Sequence, residues 1–500
     1  MPTTPTQIAP LISQVEHLID QAERFSKVHQ EALDQVRPSQ KLSARNLLHY
    51  ISLRSQDIRP LQQELGRLGV SRLGRAEAHV MASLSAVRHV LYRLHDELDA
   101  PSPDSELTIE AGIRSTDEQA HRLLGPRHKA NQGRVMVTMP TEAGQKGSFI
   151  PDLVEAGMTA ARINCAKDGP EVWERIVHRA QEAAEEFGRP VKICMDLGGP
   201  KLRTGNLHAS LPNGFIKLWT SDHLWLTRAN VPGMAAVYDS HGNLIRPAQI
   251  SCTLPEVFDR VQVGDPVLFN DGKIEGKVVE QAQDKLVIEI TFAKTNGAKL
   301  RPDKGINFPQ TDLGISGLTA KDRQDLDFVA KHAHVVSLSF VNKPDDVLQL
   351  IEELKQREAH DIGILLKIET RAGYENLPNI LLTAMRHPTI GVMIARGDLA
   401  VEVGWQEMAL IQEEIIRLCA AAHVPVVWAT QVLESLAQKG QPSRSEISDA
   451  AMARSVECVM LNKGPFILEA VKLLGAILMQ LEEFHAKTAP MLPRLQMNLP

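Results

Sequence analysis

The chain has 500 residues, of which 43% are hydrophobic and 23% are charged, a composition typical of globular proteins. Its 55 basic and 61 acidic residues give a formal net charge of −6, which offers no overall positive field for nucleic acid. Because no apolar run reaches the roughly 18 residues of a membrane helix and no secretory signal opens the chain, we expect a cytoplasmic protein of about two to four domains, without nucleic-acid or membrane partners.

The first region, residues 1–125, is rich in apolar residues at helical spacing and poor in β-branched strands. Apolar stripes run through residues 11–25, 43–54, 58–68 and 76–98. This pattern predicts an N-terminal all-α domain of three or four packed helices. We interpret it as an oligomerisation or docking module, and we expect a homo-oligomer.

From residue 134 onward, short apolar strands alternate with amphipathic helices. The strand-like segments are RVMVTM, TAARINC, VKICMD, HVVSLSF, GILLKIE, GVMIAR, PVVWAT and CVMLN. Near-continuous apolar strands separated by helices are typical of a buried parallel sheet. Eight such units predict an α/β fold, a (β/α)₈ TIM barrel, formed by residues 134–206 together with 304–486.

One connection interrupts this alternation. After the third strand, residues 207–303 contain short β-like stretches separated by the turn signals NDG, QDK and NGAK. A structureless loop of this length would be unusual in a compact domain. We therefore predict a small β-domain inserted after the third strand of the barrel. Residues 487–500 are predicted to form a C-terminal tail.

Chemistry-bearing residues lie at the carboxyl ends of the predicted barrel strands, where barrels of this kind carry their active sites. These residues are Arg162, Asn164, Asp196, Lys367, Glu369, Asp398 and Thr430. Buried charges are costly unless they are paired or bound to a metal. The residues therefore predict a divalent cation held by Glu369 and Asp398, and a phosphate or carboxylate held by Arg162.

Several of these segments resemble motifs of the pyruvate kinase family, and the resemblance covers roughly residues 134 to 486. The similar segments here are GMTAARINC, DLGGPKLRTG, DKGINFP, LKIET, IARGDLAVEV, WATQVLES and QPSRSEISDAA. They stand in the order of the family's motifs, with the β-insert after the third strand. The resemblance implies phosphoryl transfer from phosphoenolpyruvate to ADP, giving pyruvate and ATP.

The resemblance also implies roles for individual residues. Arg162 would hold the substrate phosphate, and Lys367 would neutralise charge on the transferring phosphoryl group and the enolate. Glu369 and Asp398 would ligate Mg²⁺ or Mn²⁺. Thr430 would hydrogen-bond the substrate carboxylate and assist protonation of the enolate.

Three further residues complete the implied site. Free backbone N–H groups at Gly397 and Asp398, where a helix opens, would receive the substrate carboxylate. Arg203 and Lys304 would face the ADP or ATP phosphates from the hinge of the inserted domain, which would close as a lid.

The family's potassium site is only partly present. Asn164 and Asp196 remain, but Ala166 and Leu197 replace two oxygen ligands, and Lys201 stands where potassium-dependent members commonly have glutamate. A lysine ammonium can take the place of a monovalent cation, so K⁺ is predicted not to be required. The alternative is that Lys201 is merely solvated.

Other departures affect the nucleotide side. AKDG replaces the family's histidine-containing SHG, NKGPF replaces the longer loop after strand eight, and we expect no C-terminal α/β domain. Two alternatives to an active pyruvate kinase therefore stay open. One is a non-catalytic sensor of phosphoenolpyruvate or another metabolite; the other is a related barrel enzyme acting on another phosphorylated or keto-acid substrate.

Overall fold

The computed structural model describes residues 5–482 except 96–100, 130–132, 146 and 212, together with 485–486 and 489–490. Its α-helices are α1 (Pro5–Val28), α2 (Gln30–Gln35), α3 (Lys41–Arg54), α4 (Arg59–Arg67), α5 (Val80–Leu94), α6 (Ile109–Leu124), α7 (Phe149–Ala156), α8 (Pro170–Glu186), α9 (Ala320–His332), α10 (Pro344–Gln356), α11 (Arg371–Glu375), α12 (Leu377–Ala384), α13 (Arg396–Val403), α14 (Trp405–Ala421), α15 (Glu434–Lys439), α16 (Arg444–Met452) and α17 (Ile467–Glu482).

Its strands are β1 (Arg134–Thr138), β2 (Met158–Asn164), β3 (Lys192–Asp196), β4 (Ile216–Leu218), β5 (His223–Thr227), β6 (Val237–Tyr238), β7 (Leu244–Arg246), β8 (Ala248–Ser251), β9 (Pro266–Phe269), β10 (Ile274–Gln281), β11 (Lys285–Phe292), β12 (Ala298–Leu300), β13 (Ile306–Asn307), β14 (Val335–Leu338), β15 (Gly363–Ile368), β16 (Ile390–Ala395), β17 (Val426–Ala429), β18 (Cys458–Leu461), β19 (His485–Ala486) and β20 (Ala489–Pro490).

Eight strands form a closed parallel barrel in the order β1-β2-β3-β14-β15-β16-β17-β18, with β18 pairing back to β1. Every residue of β15 and β16 is buried, because strands of such a barrel pack helices on one face and the barrel interior on the other. The predicted (β/α)₈ barrel is therefore confirmed, with each of its eight strands at the predicted segment.

The insertion between β3 and β14 carries most of its strands in one six-stranded sheet of order β13-β9-β10-β11-β5-β8. It has its own hydrophobic core, separate from that of the barrel. That core includes Leu202, Ile306 and Phe308, which lie outside the predicted range 207–303. The β13 strand extends the sheet because residues 306–307 pair with β9 as the chain returns to the barrel.

The N-terminal helices α1, α3 and α5 pack against one another, and α3 also packs against α14 on the outside of the barrel. Asn46 on α3 makes one of the polar contacts to the barrel. Its side-chain amide donates to the carbonyls of Glu77 and Ala421 at 2.7 and 2.8 Å, and it accepts from the Val80 N–H at 2.9 Å. One buried side chain thus ties α3 both to α5 and to the end of α14.

The end of α6 closes the amino-terminal end of the barrel. Leu123 and Leu124 are buried in a cluster with barrel-interior residues, including the first residues of β14 and β18. A Cβ atom on Gly363 or Gly391 would lie only 2.4 or 2.3 Å from the Leu123 methyl groups. The predicted helical region 1–125 therefore includes residues whose packing belongs to the barrel, which helical periodicity alone could not reveal.

No helix among the described residues combines the length and the apolar character needed to cross a membrane. The predicted tail, residues 487–500, lies outside the described residues apart from β20.

Candidate active site at the barrel mouth

The carboxyl ends of the barrel strands bring a chain of buried charges together. Arg162 near the end of β2 donates from Nε to Asp196 Oδ2 at 2.8 Å, and its Nη2 lies 2.7 Å from the same oxygen. The Asp196 side chain, at the end of β3, is only 1% exposed. Burial opposes ionisation of Asp196, but the charges of Arg162 and Lys367 outweigh it and hold the pKa of this carboxyl below its usual value.

Lys367 on β15 lies at the centre of the mouth and is almost fully buried. Its Nζ lies 3.0 Å from Glu369 Oε1 and 3.6 Å from Asp196 Oδ2, and it donates to Ser339 Oγ at 2.8 Å. Burial works to lower the pKa of Lys367, yet the two carboxylates raise it above its usual value. The ammonium is therefore held charged at a buried position.

Glu369 and Asp398 are the two carboxylates suited to a divalent cation. Glu369 Oε2 accepts from the Phe340 N–H at 2.8 Å, and Asp398 Oδ1 lies 2.6 Å from Lys201 Nζ. Burial raises the pKa of Glu369, Lys367 opposes this, and the neighbouring charge of Asp398 raises it further. The two carboxylates repel each other, and each is neutralised by a lysine ammonium. Such a pair of oxygen donors fits a hard cation.

No group of three or more histidine, cysteine or acidic side chains is placed to hold a metal ion in the part of the chain that the structure describes. A cation at Glu369 and Asp398 would accordingly have two protein carboxylates, and water or substrate oxygens would complete its coordination. Mg²⁺ suits such a site because it retains several waters and takes few protein ligands.

Thr430 and Gly397 are joined directly. Thr430, which follows β17 with a φ of 67°, accepts a hydrogen bond through Oγ1 from the Gly397 N–H at 2.8 Å. In the structure described here Thr430 therefore occupies this N–H, and its binding of a ligand stays a prediction. Arg396 supports the arrangement by donating to the Thr430 carbonyl at 2.6 Å and by pairing with Asp449.

Two of the three residues assigned to a potassium-site remnant lie side by side, since Asn164 and Asp196 are register partners on β2 and β3, but the Lys201 side chain bonds to neither of them within the described residues. Lys201 pairs with Asp398, whereas Asp196 pairs with Arg162 and Lys367. The Asn164 side chain accepts from the Ala166 N–H at 3.0 Å. The lysine therefore neutralises a carboxylate of the candidate metal site, Asp398, and not the acceptors predicted from the sequence.

The two residues expected at the nucleotide lie together at the hinge of the insertion. Arg203 lies 3.3 Å from Asp303 in an exposed ion pair, and its backbone bridges to Gly305. The Lys304 N–H donates to Thr204 Oγ1 at 2.9 Å. Within the described residues, neither side chain bonds to the Arg162–Lys367 cluster, so the hinge and the mouth form separate groups of cations.

Two polar residues of the mouth were missed by sequence reasoning. Thr138, the last residue of β1, accepts from Arg162 Nη1 at 2.9 Å. Ser339, directly after β14, accepts from Lys367 and donates to the Leu197 carbonyl at 2.8 Å. Both stand at the carboxyl ends of barrel strands, so the same positional signal that identified Arg162 and Asp196 could have identified them.

The mouth also contains a cavity of about 260 Å³ on the side of β1, β2 and β18. Its lining includes Arg162, Lys167 and Lys463, so three cationic side chains face one space. Lys463 belongs to the short NKGPF loop after β18. Two acidic residues, Asp168 and Glu434, line the same cavity, so the shortened loop leaves an open space beside Arg162 with charges of both signs.

The fold and this geometry define a (β/α)₈-barrel protein with a charged mouth, suited to an oxyanion beside a hard cation. The sequence model described as "Pyruvate kinase, barrel domain" matches residues 130–470. The chain belongs to the pyruvate kinase family.

Several curated relatives are similar over the same part of the chain. A pyruvate kinase of Geobacillus stearothermophilus is 36% identical, over 68% of this chain and 55% of the relative. Those of Bacillus licheniformis and Thermotoga maritima are 33% and 30% identical, over 68% and 67% of this chain and 56% and 68% of the relatives. The chain therefore spans little more than half the length of the first two relatives.

Proposed function

We propose that the protein is a pyruvate kinase that transfers the phosphoryl group of phosphoenolpyruvate to ADP, giving pyruvate and ATP. The single observation that carries this proposal is the buried arrangement of Arg162, Asp196, Lys367 and Glu369 at the mouth of a barrel of this family. A lysine held charged beside carboxylates and an arginine is the group that a phosphoryl transfer with a developing enolate requires.

Arg162 and Lys367 would act on the substrate. The Arg162 guanidinium would bind the phosphate with two parallel N–H donors, and Asp196 and Thr138 hold its plane in position. Lys367 would neutralise the charge that develops as the phosphoryl group leaves the enolate oxygen. A positive charge at ~4 Å with an effective dielectric near 20 contributes about 4 kcal/mol, on the order of 10³ in rate.

Glu369 and Asp398 would hold Mg²⁺ or Mn²⁺, which would supply charge neutralisation for the substrate and phosphoryl oxygens. Each carboxylate would exchange its present ammonium partner, Lys367 or Lys201, for the cation. Thr430 would hydrogen-bond the substrate carboxylate after releasing the Gly397 N–H. The hydroxyl would also orient the group that protonates the enolate.

Arg203 and Lys304 would bind the phosphates of ADP from the hinge of the inserted β region. Their location on the two strands of chain that enter and leave the insertion supports a lid that carries cations toward the mouth as it closes. Closure would exclude water, which would otherwise compete with ADP for the phosphoryl group.

We also propose that the activity does not depend on K⁺. The Lys201 ammonium provides a fixed positive charge at the mouth, where it lies 2.6 Å from Asp398. Asp196, the carboxylate that remains from the potassium site, is already neutralised by Arg162 and Lys367. A cytoplasmic location and a homo-oligomeric state stay predictions.

The test is pyruvate formation from phosphoenolpyruvate and ADP with Mg²⁺, in K⁺ and in a salt without monovalent metal ions, with Lys367→Met as the blank. We expect turnover that disappears in the blank and does not change with K⁺. Turnover that needs K⁺ would retain the kinase and refute the role of Lys201. Folded protein that binds phosphoenolpyruvate without turnover in either salt would refute the kinase and favour a metabolite sensor.

A further inference from the structure

A second cavity lies in the N-terminal helical region, on the outside of the barrel. Its volume is about 520 Å³, against about 320 and 260 Å³ for two cavities at the mouth and hinge. Its lining comes mainly from α1, α3, α5 and residues 104–107. A volume of this size is within the range of small-molecule sites in proteins.

The residues that face this cavity occupy positions that a closed helical bundle would fill with apolar side chains. On α3 the inward face carries Arg45, Asn46 and His49, and on α5 it carries Ser85 and Arg88. These residues recur at spacings of three and four, so each set lies on one side of its helix. Polar groups at core-facing positions are costly unless they have a partner.

Arg88 lacks that partner. Its Nε is fully buried without a hydrogen bond, and the guanidinium makes no ion pair with any described residue. Arg45 uses only one of its five N–H donors, in an ion pair with Glu106 at the rim. Two guanidinium groups from different helices therefore face the cavity with donors that no protein acceptor uses.

The charged side chains of the lining differ in exposure. Glu23, Lys27, Asp104 and Glu106 are exposed, and the Arg45 side chain, which pairs with Glu106, is 38% exposed. Arg88 is less exposed, and its Nε is buried. His49 is also buried, and burial followed by the charge of Arg45 lowers its pKa to about 4. The deeper part of the cavity therefore presents the Arg88 guanidinium and a neutral imidazole.

We propose that this cavity is a binding site for a small metabolite that carries a phosphate group, with Arg45 and Arg88 holding the phosphate. The guanidinium fork matches the geometry of phosphate oxygens, and a dianion would accept from Arg88 and from the N–H donors that Arg45 leaves unused beside Glu106. The Ser85 hydroxyl and the His49 ring would contact the rest of the molecule. The site lies apart from the barrel mouth and contains none of its residues.

The test uses the full-length chain carrying Arg162→Gln, so that phosphate binding at the barrel mouth is weakened. Isothermal titration with inorganic phosphate, glycerol 3-phosphate and AMP would measure binding, with glycerol and adenosine as probes that lack phosphate. We expect at least one phosphate-bearing probe to bind in this background and its phosphate-free counterpart not to bind. Adding Arg88→Gln or Arg45→Gln should weaken binding roughly 10-fold or more, since each removes charge-assisted hydrogen bonds.

Two further variants protect the test against misfolding. Ser85→Leu fills the cavity without removing a charge and should abolish binding while circular dichroism and the unfolding midpoint stay those of a folded chain. Arg24→Gln removes an exposed arginine of α1 that pairs with Asp20 and should leave binding unchanged. Binding that survives Arg88→Gln and Ser85→Leu, or the absence of binding by all three phosphate-bearing probes, would overturn the proposal.

Discussion

Arginine side chains lie at both the barrel mouth and the helical cavity, but their ion-pair partners differ between the two places. At the mouth, Arg162 and Lys367 share Asp196, and the lysine also meets Glu369. In the helical region, Arg88 has no described partner and Arg45 has one at the rim. A buried charge that is paired fixes a rigid site in advance, whereas a buried charge without a partner stabilises the chain only when a ligand supplies the acceptor.

The largest expected effect is at the mouth. Lys367→Met should lower kcat by about 10³ or more while the KM for phosphoenolpyruvate stays within a few-fold, because the charge matters most in the transition state. Steady-state kinetics would measure both constants. Lys321→Met is the matched control, since it removes an exposed lysine that also pairs with an aspartate, Asp325. Activity of Lys367→Met within tenfold of wild type would show that another group neutralises the enolate.

The next effect concerns the joint between the two regions. Leu123→Ala should lower the free energy of unfolding by about 3 kcal/mol, because it opens a cavity where α6 closes the barrel. Urea unfolding followed by tryptophan fluorescence would measure it. Leu410→Ala, at an exposed position of α14, should change the stability by less than about 0.5 kcal/mol. Equal effects of the two substitutions would mean that α6 is not part of the barrel core.

Acidification tests one buried histidine in each region. Burial, followed by Arg45, lowers the pKa of His49 to about 4, and burial chiefly does the same for His387 near the barrel. The unfolded chain protonates these rings near pH 6.5, so their stabilisation is present above pH 6.5 and is lost as the pH falls toward 4. Between about pH 7 and about pH 5, each histidine should account for about 2 kcal/mol of lost stability.

Urea unfolding at these two pH values would measure the loss for wild type and for His49→Gln and His387→Gln. Each substitution should remove the part of the pH-dependent loss of stability that its histidine causes. A phosphate-bearing ligand in the helical cavity should reduce the part caused by His49, because it stabilises the charged form of that ring. An unchanged pH dependence in His49→Gln would contradict the assignment of a buried, neutral ring.

The smallest effect is expected at an exposed contact between the regions. Arg54 on α3 lies 2.7 Å from Glu414 on α14, and its side chain is 42% exposed. Because water screens such a pair, Arg54→Gln should cost less than about 1 kcal/mol of unfolding free energy. Asn46→Ala, which leaves buried carbonyls of Glu77 and Ala421 without donors, should cost about 2 kcal/mol or more. Thermal unfolding of both variants would measure these losses of stability. A larger loss for Arg54→Gln than for Asn46→Ala would contradict the prediction.

Much of the barrel could be predicted because its signal is local. An apolar strand of about six residues between amphipathic helices indicates a buried parallel strand wherever it occurs, and the carboxyl end of that strand indicates the mouth. Arg162, Asp196, Lys367 and Glu369 were found in this way, and the structure brings them into contact. The family followed from motifs in these same segments and was confirmed by the matching family model.

The sequence by itself thus determined the barrel, its inserted β region and the charged residues at the strand ends, because periodicity and chain order fix which side chains meet there. Only the tertiary structure decided which lysine meets which carboxylate, since Lys201 reaches Asp398 through a turn that no spacing encodes. It also decided that Leu123 packs inside the barrel and that Arg88 faces a cavity. A helical stripe defines a face, but the partner of that face comes from distant parts of the chain.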